Sequence, residues 1–216
     1  MPDGRNWNLC NKSLYRCIVK IMKIKAVIFD LDGTITEPYL DFDKIREDIG
    51  LARDAGPLLE EMDKMSVTER KKAEEILYKH EQCAIEYSVL NRGAAETFDK
   101  LGEMKIPVGI LTRNTRLNAC AIAEKHNLKF DAIVDRSDGP VKPHPFGVEK
   151  LCSQFKVLPG ETIVVGDYLF DLQCAKAAGA VAVLMKNSDK SMLFSSFADF
   201  TIDNLIQLLD IIDSTK

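Results

Sequence analysis

Beyond Ile24 the chain alternates short apolar, β-branched runs with amphipathic stretches, and this alternation narrows the fold more than any other feature. Ile24–Phe29, Val108–Leu111, Ala132–Val134, Thr162–Val165 and Val181–Leu184 are continuous apolar runs that read as buried strands. Helical patterns near Arg116–His126, Pro145–Phe155, Phe170–Ala178 and Asn204–Ile212 separate or follow the later ones. Strand and helix in alternation predict an α/β fold with a mostly parallel sheet, whose strands are buried on both faces and so lack a polar side. Hydrophobic residues make up 46% of the 216, enough for a full core. In such sheets ligands gather beyond the carboxyl ends of the strands, so functional residues are expected just after the apolar runs.

The segment from Glu37 to Asn91 breaks the alternation. It holds no strand pattern and reads as wholly helical. Ser66 with Glu69 three residues on forms a capping-box signature. Ala73, Ile76, Leu77, His80, Ala84 and Tyr87 then recur at helical spacing along one face, and an earlier helix is expected over Asp43–Ile49. The expected organisation is an amino-terminal extension over residues 1–21, an α/β core over 22–36 and 92–216, and an inserted small all-helical cap over 37–91. The cap is read as a lid over the active edge of the sheet, the alternative being extra helices that only enlarge the core.

Charge excludes some partners. Lys and Arg number 29 against 33 Asp and Glu, a net charge of −4. A duplex or single strand of nucleic acid would demand a cationic surplus, and no run approaches the roughly 20 apolar residues of a membrane span. The first 25 residues are the exception, with six basic side chains against Asp3 alone. They read as an extension, as a mitochondrial leader, or as sequence upstream of an alternative start at Met22. The six cysteines form no C-x-x-C pair. Cys83, Cys120, Cys152 and Cys174 are expected to act as small hydrophobes in a reducing compartment. A cytoplasmic location is expected, with mitochondrial targeting the alternative.

The polar residues at the strand ends carry the chemistry. The first strand runs into Asp30-Leu31-Asp32-Gly33-Thr34, and acids two apart on an extended chain project to the same side. After Ile163–Val165 comes Gly166-Asp167, with Asp171 four residues further, where helix capping is the plainer explanation. If these strands are neighbours, three or four carboxylates converge, and a divalent cation offsets their repulsion. Mg²⁺, which favours oxygen ligands beside phosphate, fits best. Thr112 and Asn114 follow the second strand and offer a hydroxyl and an amide to a phosphoryl oxygen. Lys142, held in a Pro-flanked turn, offers a compact positive charge.

Asp30-x-Asp32-Gly33-Thr34, Thr112 after its strand, Lys142-Pro143 and Gly166-Asp167-x-x-x-Asp171 resemble, in order, the four motifs of the haloacid dehalogenase-like hydrolase superfamily. The resemblance spans Lys25 to Val183 and is nearest the phosphoglycolate phosphatase-like members, whose small cap lies between the first and second motifs. It implies a Rossmann-like parallel sheet with helices on both faces. It also implies Asp30 as nucleophile, Asp32 as general acid and base, and Thr112, Asn114 and Lys142 around the phosphoryl group. Mg²⁺ would be held by Asp30, the backbone carbonyl of Asp32 and Asp167, with Asp171 as a ligand or acting through water or Lys142. The second acid, Asp32, separates the chain from the dehalogenase branch. The cap lysines Lys44, Lys64, Lys71, Lys72 and Lys79 read as solvated, which disfavours the phosphonate hydrolases.

The implied activity is a phosphatase acting on a small phosphorylated metabolite. A phosphomutase of the same superfamily is the runner-up, and a non-catalytic interaction domain is a third reading. Arg46 and Arg53 are candidates for a second anionic group of the substrate, surface charge being the alternative. His80 is expected to be a satisfied packing residue, His126 a terminal-turn residue and His144 structural. Oligomeric state is not legible.

Overall fold

The computed structural model describes residues 23–215. The amino-terminal extension, Met22, Cys10 and Cys17 lie outside the described residues. Six strands form one sheet: β1 (Ala26–Phe29), β2 (Val108–Leu111), β3 (Ala132–Val134), β4 (Thr162–Gly166), β5 (Val181–Met185) and β6 (Phe200–Ile202). Their spatial order is β3-β2-β1-β4-β5-β6 and every pairing is parallel. The sequence runs outward from β1 to β3 and then returns to β4 on the other flank. The switch point therefore falls at β1, with β2 and β4 as its neighbours, where Rossmann-like sheets bind their ligands.

The helices are α1 (Phe42–Ile49), α2 (Leu58–Asp63), α3 (Val67–Tyr87), α4 (Ala94–Glu103), α5 (Arg116–Lys125), α6 (Phe146–Phe155), α7 (Leu169–Ala178), α8 (Asp189–Met192) and α9 (Leu208–Asp213). Side chains alternate across a strand, and β1 shows the consequence. Ile28 joins Leu111, Val164, Val148 and Leu151 of α6, and Leu172 of α7 in one buried cluster. Phe29, one residue on, points to the opposite face and meets Phe98 of α4 at 5.0 Å between ring centroids. Helices thus cover both faces. Each buried Leu or Ile contributes about 1.5–3 kcal/mol by leaving water.

Among the described residues two compact units emerge, 23–37 with 90–215, and Pro38–Val89. In the larger unit the chain departs and returns side by side: Asn91 N–H donates to the Ile35 carbonyl at 2.8 Å, and Thr36 bridges Leu90. The regular elements of the smaller unit are all helices, with Ile45, Leu58, Met62, Ala73 and Leu77 as its core. Asp41 caps α1 by accepting from the Asp43 and Lys44 amides, and Gly50 closes that helix at φ 90°. Ser66 and Glu69 complete the capping box of α3.

Several elements differ from expectation. On α3 the face is less regular: Tyr87 is exposed, while Glu81 is buried. His80 does find a partner, Asp48 Oδ2 of α1 at 2.9 Å. Cys152 and Cys174 are buried as expected, but Cys83 and Cys120 are exposed and so do not serve as core hydrophobes. The helix expected over Asn204–Ile212 is split into a 3₁₀ turn, Leu205–Gln207, and α9. No helix among the described residues is long and apolar enough to cross a membrane.

Candidate active site

Asp30 is the first residue past β1, and its N–H still pairs with the Val165 carbonyl of β4 at 2.9 Å. The chain then turns tightly, with the amides of Thr34, Ile35 and Thr36 all aimed at the Leu31 carbonyl. Gly33 sits at φ 90°, and a Cβ there would lie 2.5 Å from Asp167 Oδ2. Glycine is needed twice over: for the left-handed backbone and for the approach of the second acid. Asp167 follows β4 directly, and Asp171 is the third residue of α7, where its Oδ2 accepts the Tyr168 amide at 3.1 Å.

The strand pairing brings these acids together. One carboxylate oxygen from each of Asp30, Asp167 and Asp171 lies within 4.8 Å of the others. Lys142 enters the same space from the loop before α6, 4% exposed. Its ammonium has three protons and three acceptors: Asp30 Oδ1 at 2.5 Å, Asp171 Oδ1 at 2.6 Å and the Leu111 carbonyl at 2.8 Å. Arg113 fixes the loop by donating to the Lys142 carbonyl at 2.5 Å while its guanidinium lies over the Phe170 ring. The Lys142–Pro143 peptide is cis.

Electrostatics follow from burial and proximity. Burial pushes the Asp30 carboxyl well above its ordinary value, a tendency that Lys142 opposes and that Asp171 and Asp167 reinforce. Burial and then Asp171 push Asp167 up to about 7. Burial alone would lower Lys142, but Asp171 and Asp30 outweigh it and hold the ammonium above its usual value. When all three are ionised, three carboxylates facing one ammonium leave two negative charges uncompensated, which is the charge a divalent cation carries. Asn187, just past β5, supplies a further sign. Its amide donates to the Gly33 carbonyl and to Asp167 Oδ2, yet its own Oδ1 is buried with no donor in reach among the described residues. An all-oxygen donor set with a spare buried acceptor fits Mg²⁺ and its retained waters.

The remaining expected residues lie at the same strand tips. Thr112, buried after β2, accepts the Asn114 amide N–H on its hydroxyl at 2.9 Å, which leaves the hydroxyl proton to give. Asp32 is half-buried and its carboxylate is not one of the three clustered acids. Its Oδ2 accepts instead from Asn114 Nδ2 at 3.1 Å. Arg46 donates from its two Nη atoms to the carbonyls of Phe42 and Gly56 and to Asp43, with its Nε buried and without an acceptor among the described residues, and Arg53 is exposed beside Glu47. His144 accepts the Phe146 amide and His126 caps α5. Arg113 and Asn187 are participants that motif reading did not single out, and Thr34, quoted in the first motif without a role, reaches Asp30 and Asp167 with its hydroxyl. Their position just past β1, β2 and β5 is the signal that finds them.

Comparison with known proteins gives a consistent result. A family model described as haloacid dehalogenase-like hydrolase matches residues 24–179. The chain is 28% identical over 209 residues to a haloacid dehalogenase-like hydrolase domain-containing protein of Arabidopsis thaliana, covering 89% of this chain and 85% of that one. It is 25% identical over 221 residues to a phosphoglycolate phosphatase of Chromobacterium violaceum, covering 89% and 98%. Among solved structures, a hydrolase from Pseudomonas syringae matches with a TM-score of 0.74 at 19% identity, over 88% of this chain and 98% of that one.

Proposed function

The chain belongs to the haloacid dehalogenase-like hydrolase family, and on that premise we propose that it is a Mg²⁺-dependent phosphatase of a small phosphomonoester. Asp30 is the nucleophile in this reading. Its carboxylate oxygen forms a bond to phosphorus in line as the phosphorus–oxygen bond to the leaving group breaks, giving an aspartyl-phosphate. Asp32 gives its proton to the departing alkoxide. It then takes a proton from the water that attacks phosphorus and frees Asp30. Asp32 is suited to both steps because it stands outside the acid cluster and faces solvent on one side.

Thr112 donates its hydroxyl proton to a phosphoryl oxygen. Lys142 has every proton engaged, so its main contribution is a fixed positive charge that holds Asp30 and Asp171 in place. Mg²⁺ would be held by Asp30, Asp167 and the backbone carbonyl of Asp32, with Asp171 tied to it through Lys142. When bound it supplies charge neutralisation of the phosphoryl oxygens. Pro38–Val89 is read as the family's small helical cap.

The observation that supports this reading most is the convergence of Asp30, Lys142 and the pair Asp167 and Asp171 from three separate chain segments. A panel of phosphometabolites assayed with wild type and Asp30→Asn tests it. Asn keeps the shape of the side chain, so the fold should persist by circular dichroism while turnover falls by about 10³-fold or more. Near wild-type hydrolysis by Asp30→Asn, or full activity after exhaustive chelation, would overturn the reading.

A further inference from the structure

We propose that Asn118 and Asn114 form an amide relay that positions the Asp32 carboxylate for proton transfer, so that Asn114 serves the general acid rather than the phosphoryl group. The inference rests on the phosphatase reading above and adds two positioning residues to it.

The relay begins in the first turn of α5. Thr115 caps that helix, its hydroxyl accepting the Asn118 amide at 3.3 Å, and this fixes Asn118 as the third helical residue. The Asn118 side chain is 4% exposed and donates from Nδ2 to Asn114 Oδ1 at 2.8 Å. The Thr115 backbone N–H donates to the same oxygen, also at 2.8 Å. A carbonyl oxygen has two lone pairs, and both are taken. Turning the Asn114 amide over would set its NH₂ against two donors in a site only 5% exposed, so the orientation is fixed by its surroundings. The NH₂ must face the other way, and there it meets Asp32 Oδ2 at 3.1 Å.

The backbone of Asn114 is held as firmly as its side chain. Its N–H donates to the Thr112 hydroxyl at 2.9 Å, and its carbonyl accepts the Arg136 amide at 3.3 Å. Asp32, by contrast, sits in a half-exposed turn. A carboxylate there has two side-chain torsions to fix, and the rigid amide contributes a fixed donor to Oδ2 before substrate arrives. Asn118 acts through Asn114: its donation to Oδ1 sets which way the amide points.

The experiment separates proton delivery from phosphate binding through the leaving group. Full-length, Mg²⁺-loaded protein is mixed rapidly with p-nitrophenyl phosphate, whose leaving group departs without a proton, or with the best alkyl phosphate of the panel, whose leaving group needs one. Phosphoenzyme formation is followed by the p-nitrophenolate burst and by rapid quench. Asn114→Ser should slow phosphorylation by the alkyl ester by about 10- to 100-fold, a share of what general acid catalysis supplies. The p-nitrophenolate burst should change less than about 3-fold and KM should hold, since the relay serves only the proton step. Asn118→Ala should show the same pattern at smaller amplitude, and decides the matter alone if Asn114→Ser does not fold. Equal losses on both esters, a KM increase as the main effect, or no change on either would overturn the relay. Failure of wild type to form phosphoenzyme with either ester would sink the phosphatase reading and the relay together.

Discussion

Replacing Lys142 by methionine keeps most of the aliphatic stem and removes the ammonium, and the consequence can be sized from the contacts it makes. Asp30 Oδ1, Asp171 Oδ1 and the Leu111 carbonyl would each lose their donor in a place almost closed to water. Removing one partner of a buried ion pair costs about 3–5 kcal/mol, because the other charge stays buried. For a chain of this size each kcal/mol moves the melting temperature by about 2–4 °C, so a fall of about 6–20 °C is expected at pH 7.5. The pH dependence has a definite sign. Lys142 is held protonated above its usual range, so its charge is fully present between pH 5 and 8 in wild type. Asp30 is already raised by burial, and losing the ammonium raises it further. A carboxyl with a raised folded-state value contributes stability at low pH that is lost as pH climbs. The deficit of the variant should therefore shrink at pH 5. Scanning calorimetry without divalent cations at both pH values checks this. A shift below 2 °C at pH 7.5, or a larger deficit at pH 5, would refute the electrostatic reasoning.

Metal-free wild type should itself lose stability as pH rises from about 4 through about 7, because Asp167 is raised from 3.8 to about 7 when folded. Millimolar Mg²⁺ should recover that loss at pH 7.5 and do little at pH 4.5, which thermal-shift measurements would show. Gly33→Ala should weaken Mg²⁺ binding by more than about 10-fold and cost about 1–3 kcal/mol, since its Cβ meets Asp167 on a left-handed backbone. Isothermal titration with Mg²⁺ measures the first effect and denaturant unfolding the second.

The strands were legible because each is a short β-branched run ended by a polar tip, a pattern set by burial on both faces. Elements without such a signal were not. β6 is three residues with Thr201 exposed, so Phe200–Ile202 carries too little apolar contrast. α2 is six residues after Pro57 with no side-chain cap, and α4 starts at Gly93 in a left-handed turn, again without one. The site was largely legible because Asp30, Lys142, Asp167 and Asp171 belong to compact motifs whose strands had to be neighbours. Asn114 shows the limit. Its polarity and place after β2 suggested a phosphate ligand, but its partners are one helical turn ahead and 82 residues behind. Only the folded chain shows that the amide bonds to Asp32 and is held by Asn118. Asn187 belongs to no motif, and nothing local announces that it reaches Gly33 across 154 residues.

The pinning of Asn91 to Ile35 has a consequence for how such a chain can diversify. A segment whose two ends emerge from adjacent points of a rigid scaffold behaves as a plug in a socket. Lengthening or recasting it costs only the slowly growing entropy of a larger loop. The clustered acids Asp30, Asp167 and Asp171 all belong to the larger unit, so the length and sequence of Pro38–Val89 can change without replacing any of them.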